Sequence, residues 1–175
     1  MPAVPRVDPE LAAEAFTHDL DQFWASGRPT RWGWSMTRPD PLTALLNVTG
    51  MRGDGILDEY RLLLDASSYD DYPPGVYFVR PDPPYARPAV GSRWLPSFGP
   101  APFEFGFHPV YQYPDQISDQ LVCFSQSRDY YISGHNPQPG QRWQPGVHTV
   151  AATLNRLHEV LSVPCYQGHS GDLDT

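Results

Sequence analysis

Lysine is absent from the 175 residues: all twelve basic side chains are arginine, set against twenty acidic ones for a formal net charge of −8. The arginines are scattered from Arg6 to Arg156, so no basic patch concentrates the positive charge that phosphate binding needs, and nucleic acid is excluded as an expected partner. Long apolar runs are lacking as well. None approaches the ~20 residues of a membrane span, and Met1-Pro-Ala-Val-Pro-Arg6 carries no leader-like hydrophobic stretch, so no membrane partner is expected and the chain reads as cytoplasmic. The two cysteines, Cys123 and Cys165, are too few for a disulfide framework or, without histidines, for a structural zinc site. They read as free thiols in a reducing compartment.

Proline, by contrast, is abundant at 21 of 175 residues against a usual ~5%. Each proline removes a backbone donor and fixes φ, so short elements joined by turns are expected rather than long helical bundles. One α+β domain over residues 1–175 accounts for the pattern. Asp8 caps and Pro9 opens a helix with an apolar stripe of Leu11, Ala15, Leu20, Phe23 and Trp24, ended by Gly27. Four strand-like runs follow, Arg31 to Thr37, Thr43 to Thr49, Leu57 to Leu64 and Gly75 to Arg80, each bounded by proline or glycine as in an antiparallel meander. Pro81 to Pro102 holds seven prolines and reads as a long loop within the domain. Phe103 to Phe107 and the apolar run Gln120 to Ser125 read as extended, and Ser127 to Pro145 as polar and turn-rich. Val150, Leu154, Leu157 and Leu161 recur at helical spacing in a last helix, Val147 to Val163, stopped by Pro164.

Four local patterns, in order, resemble the ubiquitin-conjugating enzyme superfamily over roughly Asp8 to Pro164. Glu59-Tyr60-Arg61-Leu62-Leu63-Leu64 followed by Tyr69-Asp70-Asp71-Tyr72-Pro73-Pro74 is similar to the family's third strand and the corner before its fourth. His108-Pro109 resembles the start of its His-Pro-Asn motif. Cys123, fifteen residues later within Leu121-Val122-Cys123-Phe124, stands where the family has its thioester cysteine. Trp143-Gln144-Pro145 resembles the Trp-Ser-Pro turn into the family's long helix. Val110 replaces the family's asparagine, the loops around Cys123 are longer than usual, and the pattern is truncated after the long helix, which together point to a divergent bacterial type.

The resemblance implies the family's fold: an N-terminal helix, a four-stranded meander, an active-site segment and a C-terminal helix. It also implies a thioester on Cys123 that carries the C-terminus of a ubiquitin-like or target protein and passes it to an amine. The partners are then an activating enzyme, which uses the ATP, a ubiquitin-like protein and a target. Similar bacterial proteins belong to antiphage operons, including those in which a cyclic-oligonucleotide synthase is conjugated. The conjugating enzyme itself needs no cofactor and no metal.

A thiol of this kind needs thiolate stabilisation, a base and a donor for the tetrahedral oxyanion. Arg128 is the nearest cation in sequence, His135 a candidate base, and His108 a residue of structural character in the family's pattern. With Val110 in place, the oxyanion donor is open among Gln112, Asn136, His135 and a backbone amide. The alternatives are an inactive binding module of the same fold and a cysteine hydrolase pairing Cys123 with His135 or His108. The missing lysines fit either suppressed self-modification or codon bias toward arginine.

Overall fold

The computed structural model describes residues 6–175; Met1 to Pro5, on which the reading of a missing leader rests, lie outside them. Helix α1 spans Pro9–Ala25, with the Asp8 carboxylate accepting from the backbone of Glu10 (2.9 Å) and Leu11 (3.2 Å). Its buried stripe is Ala12, Phe16, Leu20 and Phe23, with the expected Ala15 and Trp24 half-buried against the same core; of the expected stripe only Leu11 is exposed. The Phe16 ring packs edge-on against Tyr69. A one-turn helix α2, Arg28–Arg31, replaces the start of the first expected strand. Pro29 favours that turn, Gly27 enters it at φ 71° and Gly33 leaves it at φ 74°, so strand β1 begins only at Ser35.

Strands β1 (Ser35–Asp40), β2 (Thr43–Met51), β3 (Leu57–Asp65) and β4 (Gly75–Val79) form an antiparallel sheet in chain order. Pro39 is tolerated because β1 is an edge. The other edge is closed by a side chain: the Gln120 amide accepts from Phe78 N at 2.6 Å and donates to Phe78 O at 3.1 Å, as a fifth strand would. One face, including Leu46, Val48, Leu62, Leu64 and Phe78, packs with α1 and with helix α4 (Val150–Val160), which is shorter than the expected Val147–Val163.

The proline-rich segment is not a featureless loop. Tyr85 packs on Leu45, Tyr77 and Val79 of the opposite face, and the Arg87 guanidinium lies 3.7 Å over the Tyr77 ring and pairs with Asp119. The segment also contains strand β5 (Pro96–Phe98). Strands β6 (Gly106–Gln112) and β7 (Ser118–Cys123) make a hairpin, and the polar stretch behind it holds a short helix α3, Arg128–Ile132. After α4 the described residues hold no further helix, and strand β8 (Tyr166–His169), which the sequence does not suggest, pairs with β5. Among the described residues no helix is long and apolar enough to cross a membrane.

Candidate functional site

Hairpin pairing creates the site. Cys123, the last residue of β7, lies opposite Gly106 of β6, and a Cβ on Gly106 would stand 3.7 Å from Cys123 Cβ and 3.4 Å from His108 Nε2. The thiol is packed among Tyr113, Leu121 and Tyr130 and is only 6% exposed. Cys123 lines neither of the two nearest surface cavities, one of about 330 Å³ bordered by its cross-strand partner Gly106, the other of about 380 Å³ bordered by Glu104 and Ser125.

Helix α3 brings up the base. Its backbone runs on through Ser133 to Gly134, which at φ 91° turns the chain so that His135 N bonds back to Tyr130 O (3.3 Å). His135 Nδ1 and Nε2 then stand 3.9 and 4.0 Å from Cys123 Sγ. Ser133 Oγ donates to Tyr130 O at 2.9 Å, so it must accept from His135 Nδ1 at 2.8 Å. Hydrogen-bond accounting therefore assigns the proton to Nδ1 and leaves Nε2 unprotonated, with the sulfur almost equidistant from the two ring nitrogens.

The electrostatics differ from the sequence expectation. Arg128 is no cation for Cys123: it is wholly buried, with Nη1 on Asp65 (2.8 Å), Nε on Asp129 (3.1 Å) and Nη2 on the Tyr77 hydroxyl (2.6 Å). Its backbone N–H is tied to Pro74 O, which turns the side chain toward β3 and β4. The charged group near the thiol is Glu104, whose carboxylate accepts from Tyr130 OH at 3.3 Å. Burial first, and then Glu104, push the Cys123 thiol up to about 11. The resting thiol is thus protonated, and it ionises only as a base takes its proton.

Of the other candidates, His108 is exposed on β6 with its ring 5.6 Å from that of Tyr111. Asn136 is exposed beside His135, and no hydrogen bond links its amide to Cys123. Gln112 bonds Gln116 at the hairpin turn, away from the thiol, and Val110 points to solvent. Cys165 is buried and donates to Gly99 O at 3.4 Å. Among the described residues no group of three or more His, Cys, Asp or Glu is arranged to hold a metal ion. Glu104, Tyr130 and Ser133 go unnoticed in the sequence; the one local signal for them is Gly134, the residue that folds His135 back. No family model matches the chain, and no curated protein matches it.

Proposed function

We propose that the protein is a ubiquitin-conjugating-like acyltransferase of bacterial antiviral defence, with the fold of that superfamily, acting in the cytoplasm with an activating enzyme, a ubiquitin-like protein and a target. The reading rests on one observation: the cysteine at the thioester position of the resemblance has a histidine within 4.0 Å, held by Ser133 in the tautomer that accepts a proton. In loading, Cys123 Sγ attacks the thioester carbonyl on the activating enzyme while its proton passes to His135 Nε2. The new C–S bond forms, the old one breaks, and the leaving thiolate takes the proton. In discharge, an amine attacks the Cys123 thioester, the C–N bond replaces the C–S bond, and the amine proton returns through His135 to the thiolate.

The burial and raised ionisation of Cys123 favour a second reading, a non-catalytic module of the same fold that presents a ubiquitin-like protein. A ubiquitin-like protein prepared as a C-terminal thioester of a small thiol separates the two without an activating enzyme. The expected result on a non-reducing gel is a thiol-sensitive adduct, lost in Cys123→Ala and kept in Cys165→Ala. Binding with no adduct supports the module. Release of the free C-terminal acid, dependent on Cys123 and His135, supports a hydrolase.

A further inference from the structure

The proline-rich segment and the cysteine hairpin border an apolar groove that the transfer chemistry leaves unused. Its volume is about 330 Å³, and it is lined by Ser97 and Phe98 of β5, by Phe105, and by Gly106, Phe107 and Pro109 of β6. Phe98 meets Phe105 and Phe107 edge-on, with ring centroids 5.0 and 5.8 Å apart, and lies 6.4 Å from the fully buried Phe78. The three phenylalanines of the groove are only half-buried, so an apolar floor stays open to solvent. None of the lining residues carries a charge. A charged segment laid here would give up its water with no partner in return, whereas an apolar one covers the rings.

The phenylalanines and the thiol lie on opposite faces of the β6–β7 hairpin. Cross-strand partners share a face and neighbours along a strand alternate, so Phe107, opposite Val122, points away from the side on which Gly106 faces Cys123. Strand β6 pairs only with β7, and β5 only with β8, so each keeps one edge without a strand partner among the described residues. Gly106 belongs to both places: it lines the groove and lies across from Cys123. A Cβ there would stand 3.7 Å from Cys123 Cβ, so at this point the barrier between groove and thiol is backbone without a side chain.

We propose that this groove seats the C-terminal segment of the acyl donor, an extended, uncharged stretch with an apolar side chain on Phe98 and Phe107, whose terminal carbonyl reaches Cys123 Sγ across Gly106. The proposal rests on the acyltransferase reading. Strand addition at the unpartnered edges of β5 and β6 holds such a segment by its backbone, while the phenylalanines select its side chains. The chemistry is that of loading: the C–S bond to Cys123 forms as the donor's C–S bond breaks, and the donor thiol leaves with the proton that His135 took from Cys123.

Three donors, made as thioesters of the same small thiol, test this: N-acetylglycine, and two hexapeptides ending in glycine that carry, at matched positions, either leucines or alternating arginine and glutamate. Loading of Cys123 in the full chain, read by mass spectrometry, is expected to be about tenfold faster for the leucine peptide than for the other two, the equivalent of one buried aliphatic side chain. Ser97→Glu sets a carboxylate in the groove without removing a core side chain, and is expected to bring the leucine peptide down to the rate of N-acetylglycine in that same variant. Equal rates for the three donors in the parent overturn the proposal and leave the acyltransferase reading standing. If no donor forms an adduct, it is the acyltransferase reading that fails, and binding alone then decides the groove. In Cys123→Ala the leucine peptide as its free acid is expected to shift the backbone amide resonances of residues 97–99 and 105–107; those shifts uphold the groove, and their absence overturns it.

Discussion

Replacing Arg128 with methionine should be among the most damaging single changes in the protein, although it keeps an unbranched chain of similar bulk. The guanidinium is wholly buried and supplies bonds to Asp65, Ser67, Tyr77 and Asp129. Methionine leaves Asp65 and the fully buried Asp129 facing each other with no cation, and breaking a buried pair in this way costs about 3–5 kcal/mol. Total stabilities of about 5–15 kcal/mol make that a large fraction. With a urea slope of about 2 kcal/mol/M, the unfolding midpoint should fall by about 2 M at pH 7. Burial pushes Asp65 up, but Arg128 outweighs it and holds the carboxyl below its ordinary value. A depressed carboxylate stabilises the fold above its unfolded value and loses that contribution as the pH falls through the folded one. The gap between variant and parent should therefore narrow toward pH 4, where the uncompensated carboxylates of the variant also take up protons. One more consequence is specific to the geometry: a Cβ on Gly75 would stand 2.5 Å from Arg128 Nη2 and 3.1 Å from Tyr77 Cε2, so Gly75→Ala should be costly in the parent and less costly in Arg128→Met, whose flexible side chain can give way while the Tyr77 approach remains. Urea titrations followed by tryptophan fluorescence measure all three. A midpoint shift below about 0.5 M at pH 7 would refute the reasoning, since it would mean that the two carboxylates never depended on the cation.

With the Cys123 thiol pushed up to about 11, only about one part in a thousand is thiolate at pH 8, and Glu104→Gln should speed its alkylation by iodoacetamide about threefold. Ser133→Ala frees His135 to change tautomer and should slow loading of Cys123 while leaving the melting temperature within a few degrees, with Ser133→Thr restoring the rate. Gln120→Leu orphans both Phe78 N and Phe78 O inside the core and should cost at least about 1–3 kcal/mol in urea unfolding. Burial lowers His158, which stacks on Trp32 at 3.8 Å, so its contribution to stability is present above pH ~6.5 and lost as the pH falls through the lower folded value. Thermal melts between pH 7 and pH 5 should show a smaller acid-induced drop in His158→Phe than in the parent.

Features whose causes are local can be read from the sequence. The meander is legible because each strand is bounded by proline or glycine and its partner is the next strand along, so β2 and β3 pair in unbroken register from Thr43–Asp65 to Met51–Leu57. The approach of His135 to Cys123 is legible for the same reason: twelve residues and one glycine at positive φ close that loop. The stripe of α1 is legible at Ala15, Leu20, Phe23 and Trp24, whereas Leu11 is as apolar as any core residue yet exposed, and Phe16, absent from the expected stripe, is seated by Tyr69, fifty-three residues away. Strands β5 and β8 are three and four residues long and some seventy apart, so neither carries a periodic pattern, and the bonds of Tyr166 to Asp58 and Tyr60 that seat β8 on the sheet stay invisible with them. Arg128 is the instructive failure. It follows Cys123 by five residues and is the natural cation to assign to a thiolate. Yet a helix that starts on Pro74 O aims its side chain at β3 and β4, while Glu104, nineteen residues upstream, is brought beside the thiol because Gly106 pairs with Cys123. The charge that a nucleophile meets is set by the strand across from it, and the chain that follows it decides only which base can reach it.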